Sequence, residues 1–434
     1  MGRLRMHVVL LNQPFHPDVV ATAQMGKDLA DALIARGHSV SAVCSRSIYG
    51  QAGAQLPKYE MIDGIEIHRV GASIFGRKGL IARAADFGLF YLLATLKLLT
   101  MKKPDVVVGF TTPPFIALLG LVCRIFRGSK AVYWLMDLYP DVPVQSGVFP
   151  ATSPITRVCE WFSRLILKQS DATVVLGRCM QDRVLAKGAP ADRVHFIPVW
   201  AGEDAVQPVE HADNPYRAQW NPDNRFVVMY SGNFGIAHDS KAILDAIVEV
   251  TRPNEPHPIR FIFVGSGNRK KEVLELISRH ELGASVAWYD YQPREKIAQS
   301  LSCADAHLIS LASGMEGLIV PSKFFGILAV ARPGLFVGSP QSEIGRILTE
   351  SGSGITIAPG DGKALAAAIR ELASQPEKSR QMGQRGRAAL MGKYDASTAC
   401  RQWVTLLESL VPGAPASAPR QQTSGKPAAG SQAA

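Results

Sequence analysis

Lys323 is the side chain around which the chemistry of this chain can be arranged. It stands in the stretch 313–333, SGMEGLIVPSKFFGILAVARP, directly after an apolar run, 306–311, that reads as a buried strand. Pro321 predicts a helix starting there, because proline fits a first helical turn where its missing N–H costs nothing. A cation in that turn opposes the helix dipole. A bound phosphate removes the conflict, since free first-turn N–H groups form an anion site. The alternative is a lysine in water at about a few tenths of a kcal/mol.

Two further loops have the composition of phosphate cradles. The first, 231–235, reads SGNFG and offers Gly232 and Asn233; the second, 265–271, reads GSGNRKK and offers Gly265, Gly267, Arg269 and Lys270. Glycine lets backbone N–H groups approach phosphate oxygens closely. A tight turn followed by a solvated basic helix start explains the second loop equally well. Each follows a predicted strand, and open parallel sheets bind ligands beyond the carboxyl ends of their strands.

Carboxylates supply the other candidates. Asp137 and Asp141 lie four apart in DLYPD, with the spacing of an acid–base pair or of caps to the next segment. His16 and Asp18 stand in the first loop, also at a strand end, where sites form. In 338–343, GSPQSE, Ser339 suits an N-cap, Pro340 suits the first helical position, and Glu343 suits the dipole; capping explains all three.

These residues need elements to hold them, and the hydrophobic pattern provides them. Strands are predicted over 7–11, 38–44, 106–110, 131–136, 172–176 and 194–200, with helices over 22–36, 114–126 and 155–168 between them. Gly37 stops the first helix, with His38 expected to be partly exposed. A polar, turn-rich run, 201–224, reads as a linker. The alternation then restarts with strands over 226–230, 260–264, 286–289, 307–311 and 335–337, and ends with helices over 378–391 and 398–410. This predicts two doubly wound α/β domains, 1–200 and 225–394, a final helical segment 395–411, and a tail 412–434 too poor in apolar residues to fold.

The composition fits. A chain of 434 residues with 47% hydrophobic and 19% charged residues can bury two cores. Its six cysteines are scattered with no paired spacing, so neither a zinc site nor a disulfide framework is expected, and a reducing cytoplasm is. No secretory or lipidation signal is read at the start of the chain. The longest apolar segment, 87–101, contains Lys97 and is short for a bilayer span. Between Arg77 and Lys130 nine Lys or Arg face two Asp, which is +7 of the formal +10. Together with the apolar run 79–101, that predicts docking on an anionic membrane surface. No nucleic-acid partner is expected.

Pro321-Ser322-Lys323, the apolar helix after it, the Arg332-Pro333 stop and Arg36-Gly-His-Ser-Val40 resemble retaining GT-B glycosyltransferases of family 4. The similarity is greatest to the branch that builds bacterial surface polysaccharides. The resemblance implies the GT-B fold, with a final helix crossing back onto the first domain. It implies a nucleotide-sugar donor, UDP-linked, at the second domain. The acceptor would be a lipid-linked glycan on the inner membrane face. No metal or other cofactor is implied. Ser322, Lys323 and Glu316 would be donor contacts; a second glutamate of the family pattern is replaced by Gly326, which leaves Glu343 as a candidate for the ribose. Asn233 and His238 stand where the family places an Arg and a Lys. Asp137 and Asp141 would position sugar or acceptor, with His16 and Asp18 on the acceptor side. Two other readings share these residues: a hydrolysing UDP-sugar 2-epimerase, and a non-catalytic holder of nucleotide sugar or lipid.

Overall fold

A computed structural model describes residues 5–18, 20–48, 55–71, 80–200, 206–252 and 255–411. Arg77, Lys78 and the segment 412–434 lie outside the described residues, and so do residues 201–205 of the expected linker.

The first sheet has eight strands: β1 (His7–Leu11), β2 (Ser39–Cys44), β3 (Tyr59–Ile62), β4 (Ile65–Arg69), β5 (Val106–Gly109), β6 (Lys130–Trp134), β7 (Ala172–Val175) and β8 (Val194–Phe196). Their order is β3-β4-β2-β1-β5-β6-β7-β8, parallel except for β3 against β4. The second sheet has six parallel strands: β9 (Phe226–Ser231), β10 (Ile259–Val264), β11 (Val286–Tyr289), β12 (Ala306–Ser310), β13 (Gly334–Val337) and β14 (Gly354–Ile357). Their order is β11-β10-β9-β12-β13-β14. The architecture is the GT-B arrangement, two Rossmann-like parallel sheets covered by helices.

Both strand orders reverse once, between β1 and β5 and between β9 and β12. The crevice beyond such a reversal is where doubly wound sheets take ligands. It receives the loops that carry His16 and Asp18 in the first domain, and those that carry Gly232 and Lys323 in the second. Helices flank each sheet. On one side of the first sheet the helices Leu80–Thr100 and Leu118–Arg127 bury Phe90, Ala94, Leu98, Leu119 and Cys123 against Val9, Leu11 and Val107. On the other lie the helices Ala21–Ala35 and Ala396–Leu410. Trp403 from the latter packs 4.4 Å, centroid to centroid, from Trp134 of β6.

Three details differ from the sequence-based expectations. His38 is buried, not partly exposed: Nε2 lies 3.1 Å from Glu408 Oε1 and Nδ1 accepts from the Met6 amide, so it ties the first strand to the last helix. The run 206–224 is more than a linker. Asn214 caps the helix Pro215–Trp220, and Trp220 stacks on Tyr289 of β11 at 4.3 Å, because two aromatics among the prolines give this segment something to bury. The cap before the helix Glu343–Ser351 is Ser342, which accepts from the Gly345 amide, and not Ser339.

Candidate active site

The glycine loops after β9 and β10 fit into each other. The Gly232 amide donates to Val264 O at 2.8 Å, the Phe234 amide to Ser266 O at 2.7 Å, and the Arg269 amide to Phe234 O at 3.0 Å. Gly265 and Gly267 have φ of +125° and +141°, and a side chain on either would overlap the backbone of Gly232 or Phe234. Only glycine meets both demands.

Lys323 reaches this double turn from the third loop. It is the first residue of the helix Lys323–Ala329, with Ser322 as the exposed N-cap residue, so Pro321 stands before the cap, two positions ahead of the first helical place expected of it. Its side chain does not point into water. It runs along Gly232, where a Cβ would stand 3.5 Å from Lys323 Cδ and 3.7 Å from Nζ. The amine donates to Tyr230 Oη and lies 3.7 Å from the Tyr230 ring centroid. Tyr230 Oη is in turn 2.8 Å from Asn233 O and 3.1 Å from His238 Nε2. His238 Nδ1 must carry the proton, since its partner at 2.7 Å is the Ser310 carbonyl. Burial first, and the Lys323 charge second, push His238 down to about 3, so it is neutral and cannot replace a basic residue. Burial also holds the Lys323 amine well below the ordinary lysine range. Its position is therefore fixed by a phenol and a neutral imidazole.

The other basic candidates are engaged. Arg269 pairs with Glu272 at 2.8 Å. Lys270 lies 3.4 Å from Asp290 and 5.4 Å from the Trp288 ring, and Lys271 pairs with Glu275 at 3.6 Å. Asn233 is exposed at the rim. Gly326, on the Lys323 helix, would place a Cβ 3.4 Å from Leu301.

Glu316 and Glu343 sit at the junction of the domains. Glu316 Oε2 accepts from the Gly314 amide at 2.8 Å, while its carbonyl takes Arg183 Nε at 3.0 Å from the helix Arg178–Ala186. Glu343, which sequence reasoning offered to a ribose, is buried and occupied. Its carboxylate accepts from the Arg178 amide at 2.7 Å and from the Arg178 guanidinium at 3.0 Å. Charge pairing and a helix N-terminus both satisfy it there. Nothing in the sequence marked Arg178 as the partner of Glu343, or Arg183 as that of the Glu316 carbonyl, across the junction.

The first domain brings Asp137 to the same junction. The Leu138 amide donates to Leu318 O at 2.9 Å, and Gln145 Nε2 to Ser313 O at 3.2 Å, so the loop after β6 lies against the loop before Lys323. Burial pushes Asp137 up to about 6. Burial, then the Asp137 charge, push the neighbouring Tyr139 up to about 12. Asp141 is not its acid–base companion: it starts the helix Asp141–Gln145 and pairs with Lys187 at 2.7 Å. His16 is half-buried, with its carbonyl taken by Arg69 at 3.0 Å and its ring pKa lowered, by burial first. Asp18 is buried and accepts from the Val20 amide at 3.3 Å, before the helix Ala21–Ala35. Among the described residues no cluster of three or more His, Cys, Asp or Glu could hold a metal ion.

The glycine turns and Lys323 thus meet at one edge of the second sheet, with Asp137 of the first domain brought to the same junction, and the chain as a whole is similar in sequence to known proteins. Residues 22–200 match the glycosyl transferase 4-like domain, and residues 213–389 match the glycosyl transferases group 1 domain. The Escherichia coli protein WcaI, named as a colanic acid biosynthesis glycosyl transferase, is 23% identical over 86% of this chain and 93% of its own. The Pseudomonas aeruginosa protein WbjE, named as a glycosyltransferase, is 30% identical over 62% of this chain and 66% of its own. The crystal structure of Anabaena HepE in complex with UDP-glucose superposes with a TM-score of 0.69 at 14% identity, covering 93% of this chain and all of that one. The two domain matches follow one another along most of the chain, and the chain belongs to the GT-B glycosyltransferases of family 4, in the branch that holds surface-polysaccharide enzymes.

Proposed function

We propose that the protein transfers a sugar from a UDP-sugar, with retention at the anomeric carbon, to a hydroxyl of a lipid-linked glycan during surface-polysaccharide assembly. The observation that carries this reading is Lys323 held along Gly232 at the mouth of two interlocked glycine turns. A buried amine of lowered pKa regains its proton most favourably when an anion arrives beside it. A diphosphate at this edge supplies that anion, and its charge grows as the glycosidic bond breaks. Lys323 and the loop amides then stabilise the leaving group more than the ground state, which is what accelerates the step.

Retention here follows a same-face displacement, in which a donor phosphate oxygen takes the acceptor proton. The protein's part is to place the acceptor. Asp137 is the first-domain group suited to that, with His16 beside the same crevice. No metal is required in this reading, because the cradle replaces it at the diphosphate. The names of WcaI and the ligand of HepE support the pathway class and the donor nucleotide respectively.

Thermal shifts with a panel of nucleotide sugars test the donor, followed by product analysis with and without a lipid-linked acceptor. A ligand at 100 times its Kd adds about 2.7 kcal/mol of stability. UDP-sugars are expected to shift the transition and to release UDP only with acceptor. A new free sugar without acceptor would make the protein an epimerase, and no shift with any nucleotide sugar would end the reading.

A further inference from the structure

We infer that the outer face formed by the helices Leu80–Thr100, Leu118–Arg127 and Pro154–Gln169 seats on an anionic lipid bilayer, and that an aromatic run leads from this face to Asp137. The inference rests on the lipid-linked acceptor proposed above and names where that lipid lies. The three helices cover the same side of the first sheet; Arg127 donates to the Met101 carbonyl at 2.9 Å, just past the end of the first, and Arg124 to the Gln169 carbonyl at the end of the third. Several of their outward positions are apolar. Leu92, Leu96, Phe126, Ile155, Val158 and Trp161 are exposed, Phe126 by 71% and Trp161 by 59%. Ile155, Val158 and Trp161 recur every three residues, so they share one side of the last helix. Surface helices ordinarily turn charge outward there.

Charge complementarity selects the occupant. Arg157, Arg164 and Lys168 are exposed on the same helix, and its one acid, Glu160, is held by Arg164 and Lys187. Lys102 and Lys103 are exposed just past the first helix. A second copy meeting this face about a two-fold axis would set like charges together. Anionic headgroups accept the cations, and the acyl boundary accepts the apolar side chains. Among the described residues no helix is long and apolar enough to cross a membrane, so contact would be lateral.

The face also has an exit toward the site. Trp161 packs on Phe162 at 4.9 Å, Phe162 on Phe115 at 6.1 Å, and Phe115 on Tyr139 at 6.4 Å. Tyr139 feels the Asp137 charge. An acyl chain lying along these rings would leave its sugar end beside Asp137.

The test is sedimentation of the full chain with phosphatidylglycerol-rich vesicles against pure phosphatidylcholine vesicles. The wild type is expected to sediment with the former at low salt and to be released at high salt. The variant Ile155→Ser/Val158→Ser/Trp161→Ser is expected to bind about tenfold more weakly. It should keep its melting temperature and UDP affinity, and lose turnover only on long-chain lipid acceptors, not on a short-chain soluble one. Unchanged vesicle binding by the triple variant would overturn the surface. So would a wild type that ignores vesicles but forms a dimer that the triple variant cannot. UDP affinity measured on the same samples separates this failure from failure of the donor reading.

Discussion

Lys323 is the most closely surrounded basic group of the second domain's glycine turns. Its amine has one hydroxyl and one ring face as neighbours, and burial lowers its affinity for a proton. Lys323→Ala is expected to weaken UDP binding by at least tenfold, about 1.4 kcal/mol or more, without lowering the melting temperature, since removing a desolvated amine relieves a cost. Calorimetric titration of UDP checks it, and unchanged affinity would remove Lys323 from the donor site. Tyr230→Phe separates positioning from contact: it deletes the hydroxyl and keeps the ring, so kcat should fall more than KM rises. Asp137 makes a prediction with a sign. Its folded pKa, about 6, lies above the ordinary value of 3.8, so the native state holds the proton more tightly. That contribution to stability is full below pH 3.8 and is lost as pH rises through 6. Asp137→Asn should therefore melt higher than wild type at pH 7.5, by up to about 3 kcal/mol, and equally at pH 3.5. The same variant should lose the acidic limb of the rate profile if the ionised carboxylate places the acceptor.

Elements explain what could be read ahead of the structure. The β-α alternation was legible because its strands are continuous apolar runs and its helices carry one buried stripe; β1 and β11 fall on the residues expected of them. β3, β4 and β14 were not read. The hairpin Tyr59–Arg69 turns through Asp63-Gly64, both at positive φ, a readable signal outside the alternation. Glycines and Lys323 announced the cradle by type. Tyr230 did not, because it meets Lys323 across 93 residues, and the pairing of Glu343 with Arg178 was not read because the two lie 165 residues apart. That pair belongs to the contact between the helices Arg178–Ala186 and Glu343–Ser351. Glu343→Ala is expected to destabilise the protein by about 1–3 kcal/mol, since it strands an amide and a guanidinium. Uridine affinity should stay unchanged, as read by denaturant melts and titration on one sample. Loss of uridine binding with stability intact would return Glu343 to the ribose.

At the scale of the whole molecule, the last helix decides whether two domains behave as one. Ala396–Leu410 leaves the second domain and lies against the first, with Trp403 on Trp134, and Trp134 stacked on Trp200 at 5.5 Å. Glu408, buried, accepts from Arg36 at 3.1 Å and meets His38 at the same distance. The buried cluster around these indoles runs without a break from Val8 of β1 to Phe325 on the Lys323 helix. A shared core of this kind makes unfolding of one half costly to the other, so the wild type is expected to unfold in a single transition despite its length. Trp403→Ala removes one of the three indoles from that core and should cost about 3–5 kcal/mol. The loss falls on the coupling rather than on either sheet, so calorimetry should resolve two transitions in the variant. Saturating UDP-sugar should raise only the one that belongs to residues 226–389. One transition shifted as a whole would mean that the Arg178–Glu343 contact, not the last helix, carries the coupling.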